Sequence, residues 1–355
     1  MTSTGSPLDA EDLRPRVRKV LDDFIAVQVP RMDGVSDDLS VFIECLSDLM
    51  SGGKRLRPAF CYWGFRAAGG ADCEEAIRAA TALELLQACA LVHDDVMDGS
   101  DTRRGLPAVH RRFAALHRGS QWLGSPEAFG LGAAILMGDL CLSWADELLM
   151  ASGLPVDRLM AAKPIYDEMR TELMAGQYLD LLEQARGGGD IARAERVIRF
   201  KSAKYTIERP LHLGVALAGG DPALFTTFTN FGLPLGEAFQ LRDDVLGVFG
   251  DPSETGKPAG DDLREGKRTV LIARAMEKAT PADAARIHRH LGDPHLDADG
   301  VALLRSIISE TGALEAVEAR IDELVEASAR AIDDLAEPAR SVLDGLVIAA
   351  TARAV

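Results

Sequence analysis

Apolar positions recur along the chain at intervals of three and four residues. Phe129, Ala133, Leu136 and Leu140 form one such row, Ala134, Met137 and Cys141 another, and Leu324, Ala327 and Ala331 a third near the C-terminus. This is the period of a helix with a buried face, and no stretch alternates with the period of two that a half-buried strand requires. Gly and Pro clusters, among them 51–58, 99–107, 118–126, 186–190 and 250–266, cut the pattern into helical lengths. A first helix is expected from Asp9 to Val29. The run 72–97 carries Ala79, Ala80, Leu83, Leu85, Leu86, Ala88, Ala90 and Leu91 and is apolar on nearly every side, which places it at the centre of a bundle. Pro210 is expected to kink or interrupt the helix running through Lys201.

The pattern predicts an all-α protein built as a single large helical bundle. Residues 1–8 are expected to be a flexible start and 9–355 one domain, since no internal repeat or composition break divides them. Hydrophobic residues make up 47% and charged residues 26%, as in a folded globular protein. The five cysteines, Cys45, Cys61, Cys73, Cys89 and Cys141, are an odd set without a C-x-x-C pair. That disfavours a disulfide framework and a zinc site and points to a reducing compartment. The N-terminus lacks the apolar core of a signal peptide, and no uninterrupted apolar run reaches the length of a membrane span. A cytoplasmic protein with no transmembrane segment is therefore expected.

The net charge of −16 argues against non-specific nucleic-acid binding, which needs Lys and Arg to neutralise phosphates. Part of the acid is concentrated in two clusters. The first, His93-Asp94-Asp95-Val96-Met97-Asp98, ends the apolar run and is followed by Asp101-Thr102-Arg103-Arg104-Gly105. On a helix, Asp94 and Asp98 lie about 40° apart in azimuth and so share a face, where they repel unless a cation bridges them. The second, Phe239-Gln240-Leu241-Arg242-Asp243-Asp244, also follows an apolar segment. Two such clusters suit hard cations, above all Mg²⁺, whose coordination is commonly completed by a substrate's phosphates. A third group, Gly52-Gly53-Lys54-Arg55-Leu56-Arg57-Pro58, sets three cations between glycines and a helix, as suits phosphate oxygens. A diphosphate substrate follows from the three groups together. The bland alternative for each is a solvated charge run.

At these residues the sequence resembles the trans-isoprenyl diphosphate synthase (polyprenyl synthetase) family. The matching motifs run in the family's order: Gly-Gly-Lys-x-x-Arg-Pro at 52–58, the Asp-rich stretch 94–98 with its Asp-Thr-Arg-Arg-Gly tail, Lys201-Ser202, Phe-Gln-x-x-Asp-Asp at 239–244, Thr-Gly-Lys at 255–257 and Gly-Lys-Arg-Thr at 266–269. The resemblance implies the isoprenoid synthase fold, a helical bundle around a central active-site cavity. It implies condensation of isopentenyl diphosphate with an allylic diphosphate, with release of diphosphate. Lys54, Arg57 and Arg104 would grip isopentenyl diphosphate, with Gln87 where many relatives have His. Asp94, Asp98 and Asp243 would ligate three Mg²⁺ ions on the allylic diphosphate, with Asp95 and Asp244 in support. Arg103, Lys201 and Lys257 would contact the same diphosphate, and Ser202 and Gln240 would turn oxygen dipoles toward the developing cation. The bland alternatives for single residues are that Lys204 and Lys267 are merely solvated and that Gln87 is a satisfied polar residue of the core, and a homodimer is implied.

Two departures bear on function. The second motif has Gly247 where much of the family has a third Asp, which predicts weaker metal affinity there, with Asp251 either nearby or a loop cap. In the family, bulky aromatics four and five residues before the first Asp stop growth at the farnesyl product. Here those positions are Ala90 and Cys89, with Leu86 a turn below. Small residues there favour the twenty-carbon geranylgeranyl product; farnesyl or longer products are the alternatives. Outside the family, a class I terpene cyclase shares the first motif but needs no isopentenyl diphosphate site. A non-catalytic partner subunit is the remaining alternative, to which Gly247 gives some footing.

Overall fold

The computed structural model describes residues 6–187, 189–251 and 260–351, and among these it is helical nearly throughout. The helices are α1 (Leu13–Asp33), α2 (Ser40–Ser51), α3 (Leu56–Ala67), α4 (Glu74–Asp98), α5 (Val109–Gly119), α6 (Pro126–Met150), α7 (Val156–Arg186), α8 (Ile191–Val197), α9 (Arg209–Ala218) and α10 (Ala223–Phe249). Then come α11 (Asp261–Glu265), α12 (Val270–Lys278), α13 (Pro281–His290), α14 (Ala298–Glu310), α15 (Ala313–Ala331) and α16 (Ala339–Thr351). Among the described residues the strands are Thr102–Arg103 and Leu106–Pro107, paired antiparallel. The expected all-α class is borne out. Contacts group the chain into two compact units: the chain up to Tyr62 with Gly70–Met160, and Trp63–Gly69 with the chain from Ala161 onward. No change in composition marks that division.

In the first unit the chain begins to order before Asp9. Ser6 Oγ accepts from the Leu8 N–H, and a 3₁₀ turn over Pro7–Asp12 buries Leu8 ahead of α1. The core helix is α4, packed on α6, with α5 also against α6 and α1 against α4. Small side chains at Ala76, Ala79, Ala80, Ala82 and Ala88 are buried on all sides of α4, so neighbouring helices approach it closely. By length and composition α4 and α6 could each cross a membrane, but 72% of the most apolar window of α4 is buried within the protein, as expected of a core helix. The corresponding window of α6 is only 39% buried, and Leu131, Ile135 and Leu136 lie exposed on it.

In the second unit α10 runs through the core. Leu241, Val245 and Val248 pack with Leu271, Ile308, Val317 and Ile321 from α12, α14 and α15. The helix through Lys201 is not broken at Pro210. Instead α8 widens into a π-helical segment, Ile198–Glu208, which runs directly into α9. The Arg209 N–H reaches back to the Lys204 carbonyl, one residue further than in an α-helix. A proline lacks the N–H and crowds the preceding turn of a regular helix. The wider turn ahead of Pro210 supplies the room, and such π segments recur at functional sites.

α9 also carries His212, buried against the Phe225 carbonyl (Nε2 to O 3.0 Å) and Thr229. Burial lowers its pKa to about 4, against the opposing hydrogen bond to Phe225. The folded state therefore disfavours the proton, and the stability present above the unfolded pKa of about 6.5 is lost as pH falls toward 4. Between pH 7 and pH 5 His212 alone is expected to cost about 2 kcal/mol. Denaturant titrations at the two pH values check this: His212→Gln should show a smaller pH-induced loss than wild type, and an equal loss would exclude His212 as its source.

Candidate active site

The last turn of α4 carries the first acidic motif. Gly99, in the left-handed conformation, ends the helix and donates to the Asp95 carbonyl, which leaves Asp94 and Asp98 half-buried on one face. Asp95 points the other way. It is 1% exposed, and its carboxylate accepts from Arg103 Nε at 2.8 Å and from Arg103 Nη2. Asp95, expected to support the metal, is thus the group that orients Arg103. The Asp-Thr-Arg-Arg-Gly tail forms a two-residue hairpin turn with Arg104 and Gly105 at φ 54° and 77°. Both central residues of such a turn need positive φ, which a non-glycine residue adopts only under strain. Arg104 is fixed there by what its side chain reaches: Nη1 donates to the carbonyls of Leu49 and Gly52, each at 2.8 Å. Its first role is to hold the basic loop between α2 and α3.

The three cations of that loop separate. Lys54 is exposed and Arg57 half-buried, whereas Arg55 is buried and pairs with Glu84 of α4 and with the Met50 carbonyl. Arg55 and Glu84 are the pair that sequence reasoning missed. The available signal was Glu84 itself, a lone charge in an apolar helix, which requires a buried partner. On α4, at about 100° per residue, Ala90 and Gln87 fall within about 40° of Asp94, while Cys89 lies about 140° away. Cys89 turns instead toward its own helix neighbour His93 (Sγ to Nδ1 3.8 Å), and burial pushes its thiol up to about 11. Leu86 is fully buried and Ala90 partly exposed. Gln87 Oε1 is buried with no hydrogen-bond partner among the described residues, an unsatisfied amide of the kind that a bound ligand completes.

In the second unit Lys201 and Ser202 sit on the π segment, which is held at very close range on two sides. A Cβ at Gly176 of α7 would lie 2.5 Å from the Lys201 nitrogen, and one at Gly236 of α10 would lie 2.4 Å from Ala203 Cα. Only glycine admits backbones that near. Lys201 Nζ is 2.7 Å from Asp180, and Ser202 is buried. Lys204 is not solvated but paired with Glu172, which Arg209 also grips at 2.7 Å. Lys267 likewise pairs with Asp262 at 3.2 Å and Glu265 at 2.8 Å. Lys257, with the rest of Thr-Gly-Lys, lies outside the described residues.

On α10 Gln240 Nε2 donates to Asp244 Oδ1 at 2.8 Å, so this amide orients a carboxyl group. Asp244 is buried, and its burial holds the carboxyl well above the usual carboxylate range. The Gln240 hydrogen bond opposes that shift, and neighbouring Asp262 and Asp243 add to it. Asp243 is half-buried on the next position round the helix, and Arg242 turns away to Glu318 (2.5 and 2.6 Å). Among the described residues no three His, Cys, Asp or Glu side chains converge to hold an ion unaided. Mg²⁺ usually binds through one or two carboxylates, with waters and substrate phosphates completing the shell. A pair such as Asp94 and Asp98 on one helix face therefore suits an ion that arrives with a diphosphate.

Comparison with known proteins agrees with these motifs. The polyprenyl synthetase family profile matches residues 40–308. The chain is 32% identical to a geranylfarnesyl diphosphate synthase of Aeropyrum pernix, over 86% of this chain and 87% of the relative. It is also 32% identical to a geranylgeranyl diphosphate synthase of Sulfolobus acidocaldarius, over 78% and 76%. Its fold superposes with a TM-score of 0.93 on a geranylgeranyl pyrophosphate synthase from Corynebacterium glutamicum, solved with isoprenyl diphosphate and magnesium. Identity there is 42%, over 96% of this chain and 99% of the other. The chain belongs to the polyprenyl synthetase family, the trans-isoprenyl diphosphate synthases, and is a prenyltransferase.

Proposed function

We propose that the protein extends an allylic diphosphate by one or more isopentenyl diphosphate units to geranylgeranyl diphosphate. The observation that carries the reading is the end of α4. It sets Asp94 and Asp98 on one face, Ala90 and Gln87 beneath them on that face, and the Arg104-anchored loop with Lys54 and Arg57 in the same unit. Asp94, Asp98 and Asp243 hold the metal, and three Mg²⁺ ions are the expected complement. When bound, Mg²⁺ neutralises charge that develops on the departing diphosphate. Arg103, oriented by Asp95, and Lys201, oriented by Asp180, direct cationic groups at the same diphosphate, and Lys257 is read likewise. Lys54, Arg57 and Gln87 bind isopentenyl diphosphate. Its double bond attacks the allylic cation left when the C–O bond to the diphosphate breaks, and the released diphosphate takes up the proton then lost. Ser202 supplies an oxygen dipole toward the cation, and Gln240 acts through Asp244.

Ala90, one turn before Asp94, is a small side chain, and the chain-length reading takes it to leave room below the first motif. The exposed Leu131, Ile135 and Leu136 of α6 are read as the face that a second copy covers in a homodimer. The five free cysteines accord with a cytoplasmic setting. The test is incubation of the purified protein and Mg²⁺ with isopentenyl diphosphate and each of the five-, ten- and fifteen-carbon allylic diphosphates, followed by product chromatography. The expected main product has twenty carbons. Consumption of an allylic substrate without isopentenyl diphosphate would favour a cyclase, and no product would favour a partner subunit. Ala90→Phe is expected to shift the product to fifteen carbons, and an unchanged distribution would place the stop elsewhere.

A further inference from the structure

A cleft of about 80 Å³ opens within the second unit, walled by α8, the start of the π segment, α10, α12 and α15. Its floor is apolar, with Leu241, Val270 and Val317 drawn from the buried core of that unit. Its walls are charged, with Arg199, Arg274 and Arg320 set among Glu195 and Glu237. Two of the three arginines are already satisfied. Arg199 donates to Glu237 Oε1 through Nε at 3.0 Å and Nη2 at 2.8 Å, and Arg320 Nη1 lies 3.0 Å from Glu323. Arg274 of α12 has no ion pair among the described residues, and its Nε is buried without a hydrogen bond. A guanidinium keeps its charge in a protein, so a buried donor of this kind carries a desolvation cost that a suitable acceptor removes. The cleft lies away from the acidic motif, since Leu241 is about 160° round α10 from Asp243.

We propose that this cleft is a second ligand site, which takes a small branched carboxylate with its charged end on Arg274 and its hydrocarbon on the apolar floor. Size and charge set that class. At about 10–15 Å³ for each water-sized group, the cleft holds roughly six non-hydrogen atoms. One unpaired guanidinium complements one negative charge, and its planar fork matches the two oxygens of a carboxylate. A phosphate dianion would bring a second negative charge beside Glu195 and Glu237, which repel it. The site does not depend on the metal reading of the acidic motifs.

The probe is isobutyrate, titrated into the full-length protein and followed by ligand-observed NMR. A Kd on the order of 1 mM is expected, as suits so small a ligand. It should be unchanged when Mg²⁺ and inorganic diphosphate are also present. Acetate, which lacks the branched hydrocarbon, should bind about tenfold more weakly. Isobutyramide has the same shape without the charge and should lose at least about tenfold, as should isobutyrate with Arg274→Met, which keeps the apolar stem and removes the guanidinium. A crystal of the wild-type protein soaked in isobutyrate should show the carboxylate on Arg274, a result that does not depend on how the variant folds. Equal affinity of the amide, equal affinity in a folded Arg274→Met, displacement by Mg²⁺ with diphosphate, or density away from Arg274 would each overturn the proposal. Inorganic phosphate that displaces isobutyrate from the cleft at equal concentration would overturn the carboxylate class.

Discussion

Asp94→Ala is expected to reduce condensation at least a thousandfold while leaving the thermal midpoint within about 1 °C of wild type. The two halves of the expectation have separate causes. Asp94 is half-buried at the end of α4 and is not among the buried residues of that helix, so its truncation opens no cavity in the core. Surface changes of that kind move stability by about 0.5 kcal/mol or less. Turnover is different because the leaving group is a diphosphate, and a bound cation contributes several kcal/mol of stabilisation to the charge that develops. A thousandfold is about 4 kcal/mol. Neighbouring Asp95 cannot substitute, since its carboxylate is buried on Arg103. The checks are turnover with isopentenyl diphosphate and an allylic diphosphate across a Mg²⁺ titration, and a melting curve. Near-normal turnover would sink the metal clamp, and raised Mg²⁺ restoring full activity would reduce Asp94 to one dispensable ligand.

The second large effect is on stability. Arg55 and Glu84 form an ion pair with each side chain only 5% exposed. Arg55→Met leaves the Glu84 carboxylate buried without its cation, and losing one partner of such a pair typically costs about 3–5 kcal/mol. Replacing both, with Arg55→Met and Glu84→Leu, removes the uncompensated charge and is expected to recover most of that loss. Arg55 also donates to the Met50 carbonyl, so both variants release the loop that carries Lys54. The double variant should therefore regain stability while retaining a raised KM for isopentenyl diphosphate. Denaturant unfolding and steady-state kinetics separate the two, and equal stability of the single and double variants would refute the uncompensated-charge account.

Much of the chemistry could be read from the linear chain because it sits on helices whose azimuth follows from spacing. Spacing predicts Asp94 and Asp98 on one face, and the all-round apolar character of α4 predicts the core helix; both are so placed. Spacing fails where direction depends on a partner from another element. Lys54 and Arg55 are adjacent, yet one is exposed and the other buried, and the difference lies in Glu84, some thirty residues on. Cys89 and Ala90 form one feature in sequence, whereas on the helix they point to different sides.

The all-α class, the family, the acidic and basic motifs and the departure at Gly247 are legible in the linear chain. These depend on residue type and on periodicity within one element, which are local properties. Tertiary structure decided the partners: Asp95 on Arg103, Gln240 on Asp244, Arg104 on the loop carbonyls, and Asp262 over Gly247. It also decided that Pro210 leads into α9 from a π turn and leaves the helix unbroken. A buried polar group has to find a complement, and which residue supplies it is set by how helices distant in sequence pack.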